Sequence, residues 1–216
     1  MATHWNEQWE TESKRNYWLE PDKTVLKLTK ELDKSKIKDV LDLGCGIGRH
    51  TFCLVQEGFN VTALDSSTKA LSLVRQKLVL LGLTANLLEG DYNRDLFKAE
   101  SFDFVLAFNV IYHGSRENFK DSIQLVHKWL RPNGLFFFTC PTRKDAKYGN
   151  GEQVGENTYR PMNSVHPGDI HYFADETDIV ELLLKFKIVK QGIHEHYWDN
   201  RGTNQLSSYW EILAKK

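Results

Sequence analysis

With 216 residues and 41% hydrophobic content, the chain is long enough to bury a sizeable core, and one domain over 1–216 is expected. Lys and Arg number 28 against 29 Asp and Glu, so the net charge of −1 gives no global electrostatic case for a nucleic-acid partner. The polar start Met1-Ala2-Thr3-His4-Trp5-Asn6-Glu7 has no apolar leader, and no apolar run approaches the ~20 residues of a membrane span. Together with three scattered cysteines, Cys45, Cys53 and Cys140, this leads us to expect reduced thiols in a cytoplasmic protein.

Residues 1–20 carry Trp5, Trp9, Tyr17 and Trp18 among charged neighbours; Trp5 and Trp9 would share one helical face and pack on the domain. Glu20-Pro21-Asp22 breaks that segment, and Val25, Leu28 and Leu32 mark the core side of the next helix. After Lys36-Ile37-Lys38-Asp39 the run Val40-Leu41-Asp42-Leu43 predicts a buried strand, which breaks into Gly44, Gly46 and Gly48 before helix-forming residues resume up to Gln56. A strand, a tight glycine loop and a helix start leave room and free N–H groups for an electronegative ligand. The spacing is neither G-x-G-x-x-G, because the third glycine comes one residue early, nor a P-loop, because no Gly-Lys-Ser/Thr follows.

Asn60 to Asp65 predicts a second strand. Its terminal Asp65 is either a cap for the helix of residues 67–81 or a carboxylate that takes both hydroxyls of a ribose. Ala85 to Glu89 reads as a third strand ending in Gly90-Asp91-Tyr92, and Phe102 onward as a fourth whose exit loop holds Asn109 and His113. Arg116 to Leu130 has the period of an amphipathic helix, Arg131-Pro132-Asn133-Gly134 is a turn, and Leu135 to Cys140 suits the centre of a parallel sheet. Residues 141–172 lose periodicity and collect glycines and prolines with Arg143, Lys144, Lys147 and Arg160; a basic, substrate-covering insertion is expected there. A helix from Asp175 to about Lys185 and strands at Lys187–His196 and Leu206–Ala214, joined by a polar loop over residues 197–204, complete the chain. His194 and His196 alternate onto one face; with His166 or His171 they make only a weak metal signal, so no metal centre is expected.

Asp42-Leu43-Gly44-Cys45-Gly46-Ile47-Gly48 resembles the first motif, (D/E)-x-G-x-G-x-G, of class I S-adenosylmethionine-dependent methyltransferases, and fills every position of it. The resemblance implies an α/β, Rossmann-like three-layer sandwich: a seven-stranded, mostly parallel sheet with an antiparallel C-terminal strand. It implies S-adenosylmethionine as cofactor, S-adenosylhomocysteine as product, and a cofactor set of Asp42, Gly44, Cys45, Gly46, Gly48, Arg49, Asp65, Ser66, Asp91, Tyr92 and Asn109. In that family the acidic residue after the third strand meets the adenine, and an N-terminal segment such as 1–20 often closes over the site.

Phe108-Asn109-Val110-Ile111 departs from the Asn/Asp-Pro-Pro-Tyr/Phe of enzymes acting on amino groups of bases or glutamine, and no cysteine nucleophile follows the fourth strand. The small-molecule branch remains, with a small-molecule acceptor as partner. The carboxyl end resembles tellurite-resistance methyltransferases, which implies substrate roles for His196 and the turn residue Arg201; Gly48-Arg49 also fits that branch. His196 is the expected general base, with His113 and His171 as alternates. A noncatalytic S-adenosylmethionine-binding or partner-binding module is the alternative, and the glycine spacing disfavours a nicotinamide-dependent oxidoreductase.

Overall fold

A computed structural model describes residues 2–162, 169–200 and 202–216, with the side chains of 2–4 and 200 left aside. The elements are α1 (Ala2–Gln8), α2 (Glu12–Arg15), α3 (Lys23–Glu31), β1 (Asp39–Leu43), α4 (Arg49–Gln56), β2 (Asn60–Asp65), α5 (Thr68–Leu81), β3 (Asn86–Glu89), β4 (Phe102–Ala107), α6 (Arg116–Trp129), β5 (Leu130–Pro141), β6 (Glu152–Gly155), β7 (Thr158–Arg160), β8 (His171–Tyr172), α7 (Glu176–Leu182), β9 (Lys187–Asn200) and β10 (Thr203–Lys215). Seven strands form one sheet in the order β3-β2-β1-β4-β5-β10-β9. β10 is its antiparallel member, since it runs against both β5 and β9. That is the Rossmann-like arrangement the glycine motif implied. By internal contacts the chain divides into two units, 1–106 with 129–134, and 107–128 with 135–216.

In the first unit, β1 pairs in parallel with β2 on one side and β4 on the other, and β2 pairs in parallel with β3. Val40, Leu41 and Leu43 are fully buried, as expected of a strand covered on both faces. The chain therefore starts in the middle, works outward to β3 and returns on the far side of β1. The crevice of such a sheet lies where that order reverses, at the carboxyl ends of β1 and β4.

Helix starts are local events, and those of α3 and α5 are capped by side chains. Asp22 accepts from the Thr24 N–H at 2.8 Å, and the same residue's own N–H is taken by His50 Nε2 at 3.2 Å. Burial holds His50 well below the usual imidazole range, so it serves as a neutral acceptor. α5 is capped by Ser67, whose hydroxyl accepts from the Ala70 N–H, and not by Asp65. The expected turn Arg131-Pro132-Asn133-Gly134 belongs to the start of β5, where Arg131 reaches Asp39 at 2.9 Å and Asp103 at 2.8 Å and Asn133 takes a left-handed φ of 68°.

The second unit has its own apolar centre, with Phe119, Phe136, Phe138, Tyr172 and Phe173 buried. Three sequence expectations change here. Residues 141–172 are not irregular throughout: β6, β7 and β8 form a small antiparallel sheet. The insertion's basic residues are partly neutralised, because Arg143 is paired with Asp175 and Asp178, and Arg160 with Glu152. The polar stretch 197–204 is not a loop either, since β9 and β10 pair in register from Thr203↔Asn200 onward. α7 is set by a reciprocal cap between Asp175 and Asp178, and only part of its expected apolar face is covered: Ile179 and Leu183 are buried, Val180 and Leu184 exposed.

One buried carboxylate gives the first unit a pH signature. Asp42 is 2% exposed and accepts from the Thr51 hydroxyl at 2.6 Å, which ties the end of β1 to the first turns of α4; burial pushes its carboxyl up to about 6. A carboxyl raised in the native state binds protons there that the unfolded chain has released, so its contribution is present at low pH and is lost as pH rises. Asp42→Asn, measured against the wild type by urea unfolding, is expected to gain about 1.5 kcal/mol between about pH 5 and about pH 8. Parallel profiles for the two proteins would contradict the burial of a titrating carboxyl at this position.

Candidate functional site

The glycine loop turns through three left-handed residues, with φ of 68° at Gly44, 53° at Gly46 and 84° at Gly48. Only glycine adopts such a series without strain. The Gly44 and Cys45 N–H groups both donate to the Leu64 carbonyl at the end of β2, at 2.7 and 2.9 Å. Gly46 donates its N–H to Asp65 Oδ2 at 2.7 Å, and the Ser67 N–H is held by Asp65 Oδ1 at 2.8 Å. A Cβ on Gly48 would lie 2.9 Å from Phe52 and Val74, so close packing on the helices excludes any larger residue there.

Asp65 is thus the acidic centre of this crevice. Burial raises its carboxyl while the N–H groups of Ser67 and Gly46 hold it down. Each oxygen of a carboxylate has two acceptor positions, and the N–H groups of Gly46, Ser67 and Ser66 do not fill all of them, so capacity remains for a hydroxyl donor. The Gly90 N–H bonds the Asp65 carbonyl at 3.0 Å, which sets the half-buried Asp91 and Tyr92 at the neighbouring strand end. The N–H groups of Gly44, Gly46 and Gly48 all donate within the chain and are not the free donors the sequence led us to expect; what fits an adenosyl group is the acidic strand end with a second acidic residue beside it.

The N-terminal segment packs on this loop within the same unit. Trp9, 6% exposed, lies 3.2 Å from where a Gly46 Cβ would stand and packs with Ile47 and Ala70. Asn6 Oδ1 accepts from the Ser67 hydroxyl at 2.7 Å. Arg49 is engaged with the same segment: its guanidinium lies 4.9 Å over the Trp18 ring and bonds the Glu20 carbonyl. Asp42 faces Thr51, as described above, and Cys45 is a buried thiol pushed far above the ordinary range by burial.

In the second unit, Asn109 adopts a left-handed φ of 58°, a conformation asparagine tolerates better than most residues with a side chain. Thr139 of β5 holds it twice, accepting its N–H at 2.8 Å and donating to its Oδ1 at 3.0 Å. Cross-strand register puts Thr139 opposite Glu211, and Tyr209 opposite His194; side-chain alternation then sets Thr139, Glu211, Tyr209, His194 and His196 on one sheet face. His196 lies 6.1 Å from the Tyr209 ring and 5.6 Å from His194, and its buried Nδ1 has no hydrogen-bond partner among the described residues. His113 and His171 do not join that face pairing; they meet each other, with ring centroids 4.7 Å apart, and Asp169 is 3.7 Å from His113 Nδ1. Arg201 and His166 lie outside the described residues.

Sequence reasoning passed over Thr139 and Asp169. Thr139 sits inside a run of phenylalanines, where a hydroxyl looks like a strand filler, and Asp169 follows a Pro-Gly pair that suggests only a turn.

Comparison with known proteins bears on the family and the fold. A profile described as a methyltransferase domain matches residues 40–134, which include the glycine loop, Asp65, Asp91 and Asn109. The ubiquinone biosynthesis O-methyltransferase of Rickettsia prowazekii is 30% identical over 196 residues, covering 85% of this chain and 73% of that protein. The namesake enzyme of Rickettsia felis is 27% identical over 163 residues, and the chain spans 66% of its length. Among solved structures, a SAM-dependent methyltransferase from Methanosarcina mazei superposes with a TM-score of 0.71 at 19% identity, over 92% of this chain and 99% of that one, which shows the shared fold. With its motif complete, its sheet in the expected order and a relative of this likeness, the chain belongs to the class I S-adenosylmethionine-dependent methyltransferases of the small-molecule type.

Proposed function

We propose that the chain transfers a methyl group to a small-molecule acceptor that presents an oxygen, nitrogen, sulfur or heavier chalcogen nucleophile, with S-adenosylhomocysteine as the other product. The observation that carries this reading is Asp65 tied to the Gly46 N–H at the carboxyl edge of the parallel strands. S-adenosylmethionine supplies, when bound, a sulfonium methyl already activated for in-line attack. The chain's own tasks are then alignment, exclusion of water and, for a protic acceptor, removal of a proton.

Asp65 with Ser66 beside it takes the ribose, Asp91 and Tyr92 take the adenine, and Gly44, Gly46 and Gly48 let the backbone approach the amino-acid tail. Asn109, fixed by Thr139, orients the methionyl end. His196 is the general base: its ring is held against Tyr209 and its Nδ1 carries no competing hydrogen bond among the described residues. Arg201 contributes to acceptor binding. The N-terminal segment, through Trp9, keeps water from the loop, and the 141–172 insertion covers the acceptor. The three cysteines are free and buried, which suits the cytoplasm, and the near-neutral charge suits a protein without nucleic-acid partners.

Incubation with methyl-labelled donor and a panel of phenols, amines, thiols and chalcogenide ions is expected to label one of these classes. If it is an oxygen or nitrogen acceptor, His196→Ala should lower kcat at least about a hundredfold while leaving the cofactor's Kd within about twofold. Undiminished turnover on such an acceptor would remove the base assignment, and no labelling of any class would favour a noncatalytic binding module.

A further inference from the structure

Fifty-eight positions apart in the sequence, and on segments that the sequence pattern leaves unrelated, His113 and His171 are brought face to face. His113 lies in the turn that leaves β4, and His171 opens β8; the two are joined as an isolated antiparallel bridge, and the Tyr172 N–H donates to the Tyr112 carbonyl at 3.0 Å. Asp169, two residues before His171, completes a group in which one ligand atom from each side chain lies within 4.8 Å of the other two. We propose that His113, Asp169 and His171 bind one divalent transition-metal ion of the zinc class.

The donor set is the first argument. Two imidazoles and one carboxylate are the protein ligands of open zinc sites and of mononuclear iron sites, whereas calcium and magnesium take oxygen donors almost alone. Three protein ligands leave a coordination position for water or for a donor atom of a ligand. Bonds of about 2.0–2.1 Å to a tetrahedral ion would set the ligand atoms about 3.4 Å apart. The His113 Nδ1 to Asp169 distance of 3.7 Å is already close to that, so small rotations of the side chains complete the set.

Preorganisation is the second. His171 is 4% exposed, and the side chains of His113 and Asp169 are 15% and 11% exposed, so the three form a largely dry cluster instead of a solvated surface patch. The rings are held in place by aromatic neighbours: Tyr112 stacks on His113 at 4.5 Å and meets His171 edge-on at 5.5 Å, and Phe173 closes on His171 at 6.3 Å. Rings clamped in this way lose little freedom when an ion arrives. All three residues and their clamps lie within the second unit, and none of the three is given a role in the methyl-transfer reading proposed above.

The test uses the full chain, stripped of metal and titrated with cobalt(II), whose visible absorption reports coordination by nitrogen donors. One equivalent is expected to bind with visible bands, and zinc(II) should bleach them stoichiometrically. His113→Ala and Asp169→Ala should each weaken cobalt binding at least about tenfold, with far-ultraviolet circular dichroism and the S-adenosylmethionine titration unchanged. His194→Ala, which alters the other histidine pair, should leave the bands as they are. Absence of saturable one-to-one binding by the wild type would overturn the proposal, as would bands that survive both ligand variants or vanish in His194→Ala.

Discussion

The hydrogen bond from the Gly46 N–H to the Asp65 carboxylate is the constraint around which the first unit is arranged. A loop with three left-handed glycines has more conformational freedom to lose than any other kind of segment, and it needs fixed anchors to hold one shape. The anchors come from two directions. From the side, the end of β2 takes three loop N–H groups, through the Leu64 carbonyl and the Asp65 carboxylate. From below, Asp42 and Thr51 clamp the strand to the helix. Asp65 is therefore a structural acceptor, and burial of its charge is tolerable because backbone donors face it.

The same arrangement accounts for the N-terminal segment. Trp9 covers Gly46, where a side chain on the loop would press against its ring, and Asn6 engages Ser67, the residue that caps α5. Arg49 then turns toward Trp18 and Glu20. A glycine in the loop thus serves two purposes at once, the left-handed turn and the close approach of an aromatic cover.

Much of this was legible in the order of residues. The motif Asp42 to Gly48, the second strand from Asn60 to Asp65 and the helix after Ser67 are set by local chemistry: continuous burial, glycine conformation and a serine cap. Spacing alone left Asp65 between a helix cap and a ribose carboxylate; in the structure Ser67 caps α5, and the Asp65 carboxylate is turned to the N–H groups of Gly46 and Ser67. The C-terminal hairpin is present as expected, but its strands run further than the sequence suggested. Asp199, Asn200, Gly202 and Asn204 are turn formers by type, yet strand pairing carries β9 and β10 to within two residues of each other, with Gly202 at a φ of 82°. Long-range hydrogen bonding outweighed local preference there. The meeting of His113 with His171 and Asp169 was invisible for the same reason, because only β8 and the exit of β4 together define it.

The most direct test of the central claim is calorimetric titration of S-adenosylmethionine into the wild type and into Asp65→Ala, with NAD as the competing ligand. If Asp65 both shapes the loop and holds the ribose, the wild type binds S-adenosylmethionine and not NAD, and the variant, still folded by circular dichroism, loses affinity at least about a hundredfold. Equal affinity of both proteins for S-adenosylmethionine, or tight binding of NAD in its place, would contradict the account.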